Sequence, residues 1–202
     1  MCNLSPAKWL FIFFFIFISY MVEAEENSAS HFNRETPVQI NTDNKKCPTQ
    51  YSFESLEVEA CQAGSGEMTL YIYNKNDHTQ PLFIKKLGDA YYIMPVLFKK
   101  NLAVSNAVLI VDHGAEFSYG AMIFSLEKRN IEYLGIIDLV LKQGDGSLIS
   151  HINLEQDFDG KLIFHFDTDM YMPTKQGIYK KITKAKALYQ YDNVNGLKPK
   201  TQ

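Results

Sequence analysis

The amino-acid sequence predicts an all-β fold, an antiparallel sandwich or open barrel, with one short C-terminal helix as an alternative for a single segment. Three observations carry this. Apolar residues recur with a period of two over short runs, β-branched and aromatic residues crowd those runs, and Gly, Asp, Asn and Pro punctuate the intervals between them. Long apolar stripes at helical spacing are scarce, and no segment repeats at a fixed period, so neither a propeller nor a solenoid is indicated.

In SLEVEACQ, Leu56, Val58 and Ala60 alternate with Glu57, Glu59 and Cys61. EMTLYIYN follows across Ala63-Gly64-Ser65-Gly66, so the two runs read as a hairpin with a flexible tip. Further strands are expected at 81–87, 90–99, 106–112, 119–127, 131–142, 148–156 and 161–167. Segment 178–191 is the best helix candidate, because Ile178, Ile182, Ala185 and Tyr189 recur at three- and four-residue steps; a final strand is the alternative.

One hairpin can be read to its register. In SHINLEQDFDGKLIFHFD, Asp157 and Gly160 suit the ends of a loop formed by Phe158, Asp159 and Gly160. Asp157 then pairs with Lys161. Ile152, Leu154, Leu162, Phe164 and Phe166 share one face, while His151, Asn153, Glu155, Ile163, His165 and Asp167 share the other. A one-residue slip would mix the two sets.

The chain of 202 residues is 46% hydrophobic and 21% charged, with a net charge of −3. This excludes disordered, collagenous and disulfide-dense classes, and the absence of a basic excess argues against nucleic acid as a partner. Trp9 to Val22 is almost wholly apolar, Lys8 precedes it, and Val22-Glu23-Ala24 places small residues where a signal peptidase reads. Residues 1–24 are therefore expected to be a secretory signal peptide, cleaved to leave no stable membrane span, because the run is short of the roughly 20 residues a spanning helix needs. The expected compartment is periplasmic or extracellular. Residues 25–45 read as a polar flexible leader, 46–191 as a single β-rich domain and 192–202 as a polar tail. Loss of Cys2 leaves Cys47 and Cys61, an even pair that an oxidising compartment would join as a disulfide.

Several residue groups invite chemistry. Asp157, Asp159, Asp167 and Asp169 bracket the hairpin and suggest calcium, which takes six to eight oxygen ligands; turn-forming aspartate is the competing explanation. His151 and His165 are diagonal neighbours on the polar face, where two imidazoles and a carboxylate could hold zinc or copper. His113, in Asp112-His113-Gly114 at the end of an apolar strand, could face a cleft and serve acid–base work with Asp112 and Asp138. Ser65 and Ser118 lack the strand-to-helix nucleophile elbow. Lysines 175, 180, 181, 184, 186, 198 and 200 crowd the C-terminal end and suit an anionic partner, or an edge strand protected from association. Tyr71, Tyr73, Tyr91, Tyr92, Tyr119, Tyr133 and Tyr171 fall on or beside expected strands.

No catalytic set assembles from these motifs. The expected function is that of an exported binding or interaction module, such as an inhibitor or accessory of a cell-envelope protein. Its partner would be a protein or polymer of the envelope. An exported hydrolase with a His/Asp-based site is the second reading. A flat aromatic patch would favour the first, and a cleft around a perturbed histidine the second.

Overall fold

The computed structural model describes residues 30–40, 46–47, 49–62, 66–100, 106–116, 118–127, 130–142, 146–174 and 178–200. The expected signal segment lies outside them, as do Ser65 and Lys175. The fold is all-β, antiparallel and sandwich-like, without a closed barrel. No helix among the described residues is long and apolar enough to cross a membrane.

The strands are β1 (Ser30–Glu35), β2 (Val38–Ile40), β3 (Thr49–Ser52), β4 (Leu56–Gln62), β5 (Met68–Asn74), β6 (Phe83–Gly88), β7 (Tyr92–Lys100) and β8 (Asn106–Gly114). They continue with β9 (Ser118–Glu127), β10 (Asn130–Ile137), β11 (Ile152–Gln156), β12 (Leu162–Phe166), β13 (Met170–Pro173), β14 (Tyr179–Ile182), β15 (Leu188–Asp192) and β16 (Gly196–Pro199). A 3-10 turn, Leu148–His151, precedes β11. The strands form a nine-stranded sheet in the order β10-β9-β8-β7-β1-β11-β12-β15-β16, a five-stranded sheet β2-β3-β4-β5-β6 and the two-stranded ribbon β13-β14.

The nine-stranded sheet curls upon itself. Val108 and Ile110 of β8 and Ile123 of β9 share one core with Leu154 of β11, Phe164 of β12 and Tyr189 of β15. The opposite face of β7–β9 packs against the five-stranded sheet: Leu109, Val111, Met122 and Phe124 meet Val58, Leu70 and Ile72 there. Strands β7–β9 thus serve two cores at once, which explains why they read as continuous apolar runs instead of alternating. Each fully buried aliphatic side chain contributes about 1.5–3 kcal/mol relative to exposure. Bulges help the sheet turn: pairing shifts between Tyr133 and Gly135 and between Asp112 and Gly114. Gly120 sits at φ +105°, where a Cβ would stand 2.5 Å from the Ile137 carbonyl oxygen, so no side chain fits this crossing.

The hairpin β11–β12 has the expected register, with Ile152 opposite Phe166 and Gln156 opposite Leu162. Gly160 adopts φ +78° and donates its N–H to the Asp157 carbonyl at 3.0 Å. Ile152, Leu154, Leu162, Phe164 and Phe166 are all buried.

Three expectations need correction. Residues 25–45 are not wholly a leader: β1 lies inside the nine-stranded sheet, pairing with both β7 and β11, and β2 edges the other sheet. Its backbone ladder holds β1 in place although Phe32 is the only large apolar residue in SHFNRE. The C-terminal tail likewise contains β16, paired with β15. Segment 178–191 is not a helix. It holds β14, a turn and most of β15; of the residues that gave the apolar spacing, Ile182 and Tyr189 turn inward from separate strands, while Ile178 and Ala185 lie exposed outside them.

Candidate functional site

The outer face of the five-stranded sheet carries a polar and aromatic surface built by cross-strand register. One row runs Val38, Ser52, Glu57, Tyr73, and the next runs Ile40, Gln50, Glu59, Tyr71, Ile84. The alternation of β4 sends Val58 and Ala60 into the core and leaves Glu57 and Glu59 outside. Tyr71 and Tyr73 lie stacked with ring centroids 6.1 Å apart, and His78, from the β5–β6 loop, continues the stack at 5.1 Å from Tyr73. Gln50 Nε2 donates to Glu57 at 2.9 Å and to Glu59 at 2.8 Å, tying the two carboxylates together. His78 Nε2 stands 3.2 Å from Glu57. Val38 and Ile84 remain 69% and 55% exposed at the margins, so this face offers apolar contact as well as rings and carboxylates.

Electrostatics single out the same group. Burial pushes the Glu59 carboxyl above its ordinary value; His78 pulls it down and the neighbouring Glu57 adds a smaller upward push. Burial also raises the Tyr73 hydroxyl, with Glu59 adding to it. Ligand atoms of Glu57, Glu59 and His78 all lie within 4.8 Å of one another, a spacing that a metal ion could bridge. Cys47 and Cys61 approach Glu59 in a second such group, but their sulfurs are joined in a disulfide and offer no thiolate. That disulfide is the expected pair, and it fastens residue 47 to the end of β4.

The Asp112-His113 pair does not assemble. Adjacent residues of a strand point to opposite faces, and here each face meets a different core. Asp112 is fully buried and accepts from Ser118 Oγ at 2.6 Å, Ser147 Oγ at 3.0 Å and Leu148 N at 3.3 Å. It therefore anchors the start of the 3-10 turn to β8. Burial raises its pKa, against the lowering pull of these hydrogen bonds. His113 faces the five-stranded sheet, edge-on to Tyr119 at 6.1 Å. Burial lowers its pKa, while a bond to the Gly120 backbone opposes that shift; its Nδ1 is buried without a partner. Asp138 is taken by the Tyr189 hydroxyl. Ser118 has a carboxylate beside it after all, but as a structural donor.

The other sequence candidates are each engaged locally. Asp157 accepts from the backbone N–H groups of Asp159 and Lys161, so it is a turn aspartate. Asp159 pairs with Lys161, Asp167 with His151 at 2.7 Å, and Asp169 with Lys181. Each of the four aspartates is thus engaged locally, and among the described residues no three of them bring their carboxylate oxygens within 4.8 Å of one another. His165 bonds Glu155 at 2.7 Å, so the two histidines hold separate carboxylates and share no ligand sphere.

Comparison with family profiles, curated proteins and solved structures finds no match. The residues that do come together, Gln50, Glu57, Glu59, Tyr71, Tyr73 and His78, were visible only in part. Alternation already places the two glutamates, and the two tyrosines, on a common side of their strands. The hairpin reading already set the two runs side by side, but the pairing of Gln50 with them and the return of His78 over Tyr73 carried no sequence signal.

Proposed function

We propose that this chain is an exported binding module that engages a protein or polymer of the cell envelope through the open face of its five-stranded sheet. The observation that supports the reading is the stacked Tyr71–Tyr73–His78 row beside the Gln50-bridged carboxylates Glu57 and Glu59. Tyrosine supplies broad contact area with a polar tip at low conformational cost, and such residues dominate recognition surfaces. The hydrolase reading is not favoured, because Asp112 and His113 serve different cores.

The test uses the secreted chain with its disulfide intact, immobilised and challenged with envelope extract of its own host. Any captured component is then titrated in purified form. Y71A/Y73A should weaken that affinity at least tenfold while the variant still melts cooperatively, since interface tyrosines commonly carry ~2 kcal/mol or more. Absence of a stoichiometric component, or unchanged affinity in the folded variant, would overturn the proposal.

A further inference from the structure

A cleft lies between the β13–β14 ribbon and the β15–β16 edge of the nine-stranded sheet. Its volume is about 440 Å³, within the range of small-molecule sites. Met172 and Ile182 give it a partly exposed apolar floor, with the buried Leu139 and Tyr189 beneath, and four lysines, 180, 181, 186 and 200, surround that floor. The local fold puts them there. Lys180 pairs across the ribbon with Met172; the turn closed by Lys186 N to the Thr183 carbonyl at 2.8 Å brings in Lys186; and Lys200 N bonds the Leu188 carbonyl at 2.8 Å.

The charge of this cleft is unbalanced. Asp169 neutralises Lys181 at 2.8 Å, and the nearby Asp138 is engaged by Tyr189. Among the described residues, no carboxylate comes within ion-pair distance of Lys180, Lys186 or Lys200. Three uncompensated ammonium groups around an apolar floor, in a chain of net charge −3, form a local site for an anion that also carries apolar surface.

We propose that this cleft binds a single-chain anionic amphiphile, with its phosphate or carboxylate head among Lys180, Lys186 and Lys200 and its apolar chain over Met172 and Ile182. The site is on a different sheet from the aromatic face and stands independently of it. The ammonium groups select the charge, and the floor selects a chain over a bare ion.

Calorimetry with monomeric dodecyl phosphate tests this on the full secreted chain. The expected result is one-to-one binding that weakens with ionic strength and falls at least tenfold in K180Q/K186Q/K200Q, whose exposed substitutions leave the melting temperature within a few degrees. Inorganic phosphate and dodecyl maltoside should each bind at least tenfold more weakly. Additional binding to phosphatidylglycerol vesicles, absent with phosphatidylcholine, would identify a membrane lipid as the source. Monomer binding without vesicle binding would identify a free amphiphile. No binding of dodecyl phosphate, equal binding of either control, or binding unchanged in the folded triple variant would overturn the proposal.

Discussion

Strands β7–β9 and the hairpin β11–β12 belong to one sheet but obey different sequence rules. The hairpin faces a core with one side and, apart from the buried Ile163, turns its other side outward, so it largely alternates, and its turn and pattern together specify the register. Ala107 to Gly114 of β8 are buried without interruption, because both faces meet a core. Such a strand is easy to recognise as buried and hard to orient: nothing in NAVLIV tells which residues serve which core. The difference explains why the hairpin residues could be assigned to faces from sequence while the Asp112-His113 pair was misread as a joint unit.

The comparison can be broken most directly by truncation. Leu109→Ala and Ile110→Ala should each cost about 2–5 kcal/mol, because neighbouring positions of β8 are both core positions. In the hairpin, Phe164→Ala should cost about 3–5 kcal/mol, while Asn153→Ala, on the exposed side, stays within about 0.5 kcal/mol. Denaturant unfolding measures all four, and a near-neutral Leu109→Ala or Ile110→Ala would remove the two-core description of β8.

Asp112→Ala comes next. It leaves the Ser118 and Ser147 hydroxyls and the Leu148 N–H without their acceptor, at a cost of about 2–4 kcal/mol. Thermal melts should drop by roughly 5–15 °C, and the peptide around Leu148 should lose hydrogen-exchange protection before the five-stranded sheet does. Uniform loss of protection would count against a local anchor.

His113 sharpens the contrast through pH. Its folded pKa lies below the unfolded value, so its contribution is fully present above about pH 6.5. It is lost as pH falls through the folded pKa, because the unfolded chain takes the proton first. Asp112 has the opposite shift: its folded pKa is raised, so its contribution falls as pH rises from the unfolded value of about 3.9 through the folded one. Urea melts between pH 7.5 and 5 should show declining stability that His113→Gln flattens. An equal slope in the variant would assign the effect elsewhere.

A modest effect is expected at the hairpin turn. Gly160→Ala should cost about 1–2 kcal/mol, because a Cβ is disfavoured at φ +78°. Retained backbone pairing between Asn153 and His165, read from cross-strand NMR contacts, would show that the buried residues hold the register without help from the turn.

Fold class was legible because most strands bury at least one full face, and the hairpin register because turn chemistry and alternation agree. Strand β1 was not legible: SHFNRE lacks an apolar pattern, and its partners stand some sixty to a hundred and twenty residues away. The candidate face was half legible. Glu57, Glu59, Tyr71 and Tyr73 alternate correctly, but Gln50 and His78 join them through tertiary placement that no local spacing encodes.

The curl of the nine-stranded sheet has a bearing on how the molecule behaves in company. An open sheet presents two unpaired rims that can recruit strands from other copies. Here the rims, β10 and β16, lie against each other, and a Cβ on Gly135 would stand 3.2 Å from Leu197. An incoming strand finds a side chain already filling that seam. The smaller sheet guards its own borders differently: β2 is three residues long, and β6 carries Lys85 and Lys86. Resistance to fibrillar stacking is thus built into the bend of the large sheet and into the short and charged borders of the small one.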